Sequence, residues 1–317
     1  MPFTVNDLLP ELRPFYEAGR EWTADVPFVP PVTVPSPLVK TTSRTIPGPA
    51  GAVGEPSPAP ILIKLYEPAG RGDAVLPAVL FLHGGGYMAG HPDADDPLCE
   101  EYALGADCLV AAVDYRLAPR YRYPAALLDC CAALEWLAAQ SAAMHLDPAR
   151  LAVAGASAGG GLAAALALYA RDHGGPKLCF QMPLYPMLDD RCDTPSSYEI
   201  TRENLPKAWT RANNLFCWDN YLRTLRDKGE PTPPYAAPAR AADLSGLPPA
   251  YLCVGQLDLF RDEDLDYAAR LARAGVPVEF HLYPGCFHGH DSVYNDCDAA
   301  RQCRSACIAA LRKALHE

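Results

Sequence analysis

The chain has 317 residues, half of them hydrophobic, and a formal net charge of −11. This suits one large α/β domain or two small ones around a sizeable core. An acidic surface repels nucleic-acid phosphates and anionic membranes, and no run of about eighteen apolar residues is present to span a bilayer, so neither partner is expected.

Residues 1–58 are rich in proline and poor in periodic patterning. VPFVPPVTVPSP (26–37) excludes a regular helix, because proline removes a backbone donor and blocks the preceding turn. A short helical piece fits Leu8–Ala18, and the whole segment is expected to wrap over a core rather than form one. The first residues, MPFTVNDLLPELRPFYEAG, lack the basic stretch and apolar run of a signal peptide, so a cytoplasmic location is the expectation.

From Ile61 the pattern changes. ILIKLYEP alternates as a strand does, and PAVLFLH and CLVAAVDY are apolar runs of the kind buried on both faces of a sheet. AALLDCCAALEWLAAQSA reads as a helix, ARLAVAGAS as a strand, AGGGLAAALALYARD as a small-residue helix and LCFQMPLYP as a strand. The strand PAYLCVGQLD, the helix EDLDYAARLARAG, the strand VEFHLYPG and a closing helix from Asp298 complete the series. Strands alternating with helices predict a mainly parallel central sheet flanked by helices. Residues 189–235 interrupt the rhythm and look helical, so they are read as an inserted cap packed with the N-terminal segment. The expected division is therefore a cap segment at 1–58, core at 59–188, an inserted helical cap at 189–235 and core at 236–317. The 12 cysteines include no C-x-x-C pair, and most sit in apolar runs, where buried free thiols act as small hydrophobes.

Three motifs carry chemistry. Gly155-Ala156-Ser157-Ala158-Gly159 fits G-x-S-x-G between a strand and a helix. Glycine on both flanks lets Ser157 occupy a strained turn, and the helix N-terminus favours developing negative charge. A plain small-residue turn has the same signature, so the motif needs partners. His83-Gly84-Gly85-Gly86-Tyr87 follows an apolar strand, and its glycines leave amides free to converge on one oxygen. The Ala158 amide would add a further donor, while His83 is expected to orient the loop. The loop lacks the G-x-G-x-x-G spacing and lysine of a phosphate site. Asp258 ends a strand and His288 follows the last one, which gives the order Ser, Asp, His. Asp262 and His290 are the neighbouring rivals for acid and base.

These blocks resemble the hormone-sensitive lipase family of serine esterases. HGGGYMAG (83–90), DYRLAP (114–119), GASAGG (155–160), GQLDLFRDE (255–263) and FHG (287–289) carry the resemblance, from about residue 60 to the end. It implies an α/β-hydrolase fold with a helical cap, Ser157, Asp258 and His288 as the triad, and Gly85, Gly86 and Ala158 as the oxyanion hole, with Gly84 as a lesser candidate. It also implies a structural role for Asp114 and Arg116, and it makes a homodimer one expectation, since dimers are common in the family. Ala156 departs from the family's usual Asp or Thr, and Arg120 stands where Glu usually follows DYRLAP.

The activity implied is hydrolysis of small carboxylic esters of short to medium chain, with no metal or organic cofactor. Tyr87 and Trp209 are the candidates for substrate contact, and Phe216, Trp218 and Tyr221 add aromatic surface to the cap. Hydrolysis of amides, lactones or acetyl esters by the same triad is an alternative reading. A non-catalytic small-molecule receptor on this fold is another, and the presence of His288 argues against it.

Overall fold

The computed structural model describes residues 3–23, 29, 32–49, 59–292 and 296–317. In chain order the principal elements are α1 (Arg13–Ala18), β1 (Val39–Ile46), β2 (Ile61–Pro68), β3 (Leu76–Leu82), α2 (Asp96–Gly105), β4 (Leu109–Asp114), α3 (Ala125–Ala139), β5 (Leu146–Ala156) and α4 (Ala158–His173). They continue with β6 (Phe180–Leu184), α5 (Pro195–Glu199), α6 (Arg211–Lys228), β7 (Ala250–Leu257), α7 (Arg261–Arg273), β8 (Val278–Phe287) and α8 (Asp298–His316). The eight strands form one sheet in the order β1-β2-β4-β3-β5-β6-β7-β8. The pairs β1–β2 and β2–β4 are antiparallel, and every other pair is parallel.

The apolar runs are buried on both faces because successive side chains of a strand point to opposite sides. Ala78, Leu80 and Leu82 of β3 face one core layer, together with Leu127 and Leu134 of α3 and Leu162 and Leu166 of α4. Val79 and Phe81 face the other, against Tyr102 of α2 and Leu311 of α8. β4 and β5 divide their residues in the same way. Each fully buried Leu, Val or Phe contributes about 1.5–3 kcal/mol, so the alternation fixes the register of the central strands.

Two elements depart from the sequence reading. β1 lies within the segment expected only to wrap the core, and it pairs with β2 along its length. Its residues VKTTSRTI are mostly polar, with only Val39 and Ile46 buried, so an edge strand of this kind carries no apolar alternation. α2 also stands where no helix was read. The helical piece expected at Leu8–Ala18 is found as α1. Of the proposed cap segment, residues 1–2, 24–28, 30–31 and 50–58 lie outside the described residues, as does much of VPFVPPVTVPSP. Residues 189–235 hold α5 and α6 between β6 and β7. The N-terminal segment packs on it: the Lys207 amide donates to the Tyr16 hydroxyl at 3.0 Å, and Trp22 meets Trp209 edge-on at 5.1 Å. Among the described residues no helix is long and apolar enough to cross a membrane.

Candidate active site

The carboxyl ends of β3, β5, β7 and β8 gather the motif residues. Ser157 forms the turn between β5 and α4 with φ 58° and ψ −119°, a left-handed conformation that side chains rarely adopt. The turn closes because its neighbours are glycines: a Cβ on Gly159 would fall 2.0 Å from the Leu82 carbonyl oxygen, and one on Gly155 2.3 Å from that of Gly159. Three backbone bonds hold the strained residue. Its amide donates to Leu184 O at 2.9 Å, and its carbonyl accepts from Gly161 and Met187 at 2.9 and 3.0 Å.

His288 Nε2 lies 2.9 Å from Ser157 Oγ, and its Nδ1 lies 2.8 Å from Asp258 Oδ2. With the proton on Nδ1 donating to the carboxylate, Nε2 is left to accept from the serine hydroxyl. Asp258 is fully buried, and its other oxygen accepts the Phe260 amide at 3.0 Å, which fixes the carboxylate plane. Tyr185 and Phe260 stand edge-on to the imidazole at 5.0 and 5.1 Å. The rivals are employed elsewhere. Asp262 accepts the Ser196 amide at 2.8 Å and so ties the start of α5 to α7. His290 is buried, directs Nδ1 to Phe287 O at 3.2 Å, and is held below the usual imidazole range by burial.

The glycine loop approaches Ser157 from β3. Gly85 and Gly86 have φ of 121° and 62°, and a Cβ on Gly86 would meet Cys217 Sγ and the Trp209 ring at 2.8 Å. Among the described residues no acceptor meets the amides of Gly85, Gly86 or Ala158. Ala158 opens the 16-residue helix α4, whose N-terminal dipole adds to the positive potential there. Gly84 lies against the serine: a Cβ on it would lie 3.5 Å from Ser157 Cβ. His83 stacks on Tyr115 at 4.1 Å and sets Nδ1 2.7 Å from Gly84 O. Burial pushes its imidazole down to about 4, so it is a neutral strut of the loop at pH 7.

The two residues expected to touch substrate part ways. Trp209 stands with its ring centroid 6.3 Å from that of His288. Tyr87 does not reach the site, and its expected role is corrected: it is buried, stacked on Tyr221 of α6 at 4.1 Å, and its hydroxyl donates to Met187 O at 3.1 Å. Stacking against the insertion is more favourable for this ring than exposure beside a polar serine, so Tyr87 joins the insertion to the glycine loop. The sequence reading missed Tyr185, Phe260 and Trp22, and also Glu263, whose buried carboxylate oxygen accepts the Leu188 and Asp189 amides at 2.8 and 3.1 Å. Burial raises the pKa of Glu263 well above its usual range.

Arg116 grips the fully buried Asp129 through Nε and Nη2 at 2.8 and 2.6 Å, which fastens the segment after β4 to α3. Arg116→Ala leaves that carboxylate without its cation. Chemical denaturation is expected to show a loss of about 3–5 kcal/mol, and an unchanged midpoint would remove the ion pair from the account of the fold.

A family profile described as alpha/beta hydrolase fold matches residues 79–292. The chain is 37% identical over 301 residues to esterase LipI of Mycobacterium tuberculosis, covering 95% of this chain and 89% of that protein. It is 38% identical over 257 residues to carboxylesterase NlhH of the same species, covering 81% and 79%. Among solved structures, a bacterial heroin esterase superposes with a TM-score of 0.87 at 34% identity, covering 99% of both chains.

Proposed function

The chain belongs to the hormone-sensitive lipase family of α/β-hydrolases and is a carboxylic-ester hydrolase; we propose that it cleaves short- to medium-chain esters through a covalent acyl-serine at Ser157. One observation carries this reading: an unbroken relay from Ser157 Oγ through His288 to Asp258, beside amides that meet no acceptor among the described residues. Ser157 Oγ attacks the ester carbonyl as His288 Nε2 takes its proton. The oxyanion is met by the amides of Gly85, Gly86 and Ala158, fixed donors that need no reorganisation as charge develops. His288 then gives its proton to the departing alcohol, and a water activated by the same nitrogen releases the acid. Asp258 holds the imidazole in the working tautomer and stabilises its cation.

The N-terminal residues 3–23 and the insertion 189–235 act together as the cap in this proposal, while β1 belongs to the sheet. Trp22 and Trp209 stack edge-on, Phe216 joins Trp22 at 6.2 Å, and Trp209 stands above His288, so bulky rings limit the room for an acyl chain. Twelve free cysteines suit a reducing compartment and support a cytoplasmic enzyme. A series of aryl esters of rising acyl length should turn over fastest at short to medium chains, with Ser157 labelled by a fluorophosphonate probe. A maximum at long chains would overturn the substrate class, and a protein that neither labels nor turns over would overturn the mechanism.

A further inference from the structure

On the sheet face turned away from α3 and α4, three thiols converge that the hydrolytic reaction does not use. Cys253 lies in β7, and Cys303 and Cys307 lie one turn apart on α8, on the same face of the helix. All three are fully buried. Cys253 and Cys303 place their sulfurs 3.9 Å apart, and all three sulfurs lie within 4.8 Å of one another. Among the described residues this is the only such group of potential metal ligands. We infer that Cys253, Cys303 and Cys307 form a trigonal site for a soft, thiophilic ion, monovalent copper, which clips α8 to β7.

The geometry matches the ion. Metal–thiolate bonds of about 2.3 Å in a planar triangle set the sulfurs about 4 Å apart, close to the Cys253–Cys303 separation, so less than an ångström of contraction at Cys307 completes the ring. The donor set matches too: thiolates with no imidazole or carboxylate among them select soft ions. The surroundings go beyond apolar packing. The Tyr251 hydroxyl lies 3.8 Å from Cys307 Sγ. Tyr102, also fully buried, brings from α2 a hydroxyl that meets no hydrogen-bond partner among the described residues. Such donors stabilise sulfur that has lost its proton. On binding, the thiol protons leave to solvent and the copper stays monovalent, so no electron is exchanged. The clip also touches the active strand, because the Cys253 carbonyl accepts the Tyr185 amide at 2.7 Å and Asp258 follows at the end of β7.

The test uses the full chain, produced in copper-supplemented cells and purified without oxygen, then challenged with a chromophoric chelator of monovalent copper. One equivalent of copper should be retained, with an X-ray absorption edge of three-coordinate monovalent copper and sulfur-only ligands. Cys303→Ser and Cys307→Ser should each lose it, while Cys130→Ser, in α3, should keep it. Parental turnover of a short aryl ester by a Ser variant shows that it is folded; where one variant fails that check, the other decides. The inference is overturned if the wild-type chain yields all its copper to the chelator, or if the folded Cys303 or Cys307 variant holds as much as wild type.

Discussion

Ser157→Ala is expected to lower kcat on a short aryl ester by about a millionfold while leaving the fold intact. In the proposed mechanism the hydroxyl forms the acyl bond, and among the described residues no other nucleophile is hydrogen-bonded to His288 Nε2. The backbone bonds that hold the turn run through the amide and carbonyl of residue 157, and alanine keeps both. Its methyl group meets the same left-handed strain as the serine Cβ, so the unfolding midpoint should move little. A residual rate above that of water, about 10³–10⁴-fold, should persist from the amides and from substrate binding alone. Parental turnover by this variant would remove Ser157 from the chemistry.

Asp258→Asn should cost about 10⁴-fold in kcat with little change in shape. The carboxylate accepts two hydrogen bonds, one from the Phe260 amide and one from His288 Nδ1–H. An asparagine has one oxygen for these two donors. If that oxygen keeps the Phe260 amide, its NH₂ faces Nδ1 and favours the tautomer with the proton on Nε2. That tautomer cannot accept the serine proton. The check is steady-state kinetics with parallel circular dichroism: a tenfold effect or less would show that the carboxylate does not govern the tautomer.

Much of this site was legible in the residue order because it depends on short-range constraints. G-x-S-x-G between a strand and a helix, a glycine run after an apolar strand, and an Asp and a His after later strands each state a local geometry. The buried runs of β3, β4 and β5 were legible for a similar reason, since burial on both faces leaves no polar position. What stayed hidden depends on neighbours distant in sequence. β1 is polar because one edge and much of its surface face solvent. Tyr87 reads as a ligand contact next to the glycines, and only the position of Tyr221 shows that its ring is taken up by packing. The ring of Tyr185 against His288, and the meeting of Cys253 with α8, follow from strand order and helix placement, which periodicity does not specify.

The contacts around Gly155 and Gly159 have a consequence for how this enzyme can diversify. Main chain lies against main chain beneath the nucleophile, at separations that admit no side chain at all. If Ser157 is the nucleophile, the floor beneath it is closed to larger residues, and new substrate preferences have to be written in the cap, where Trp22 meets Trp209 and Phe216 ring to ring.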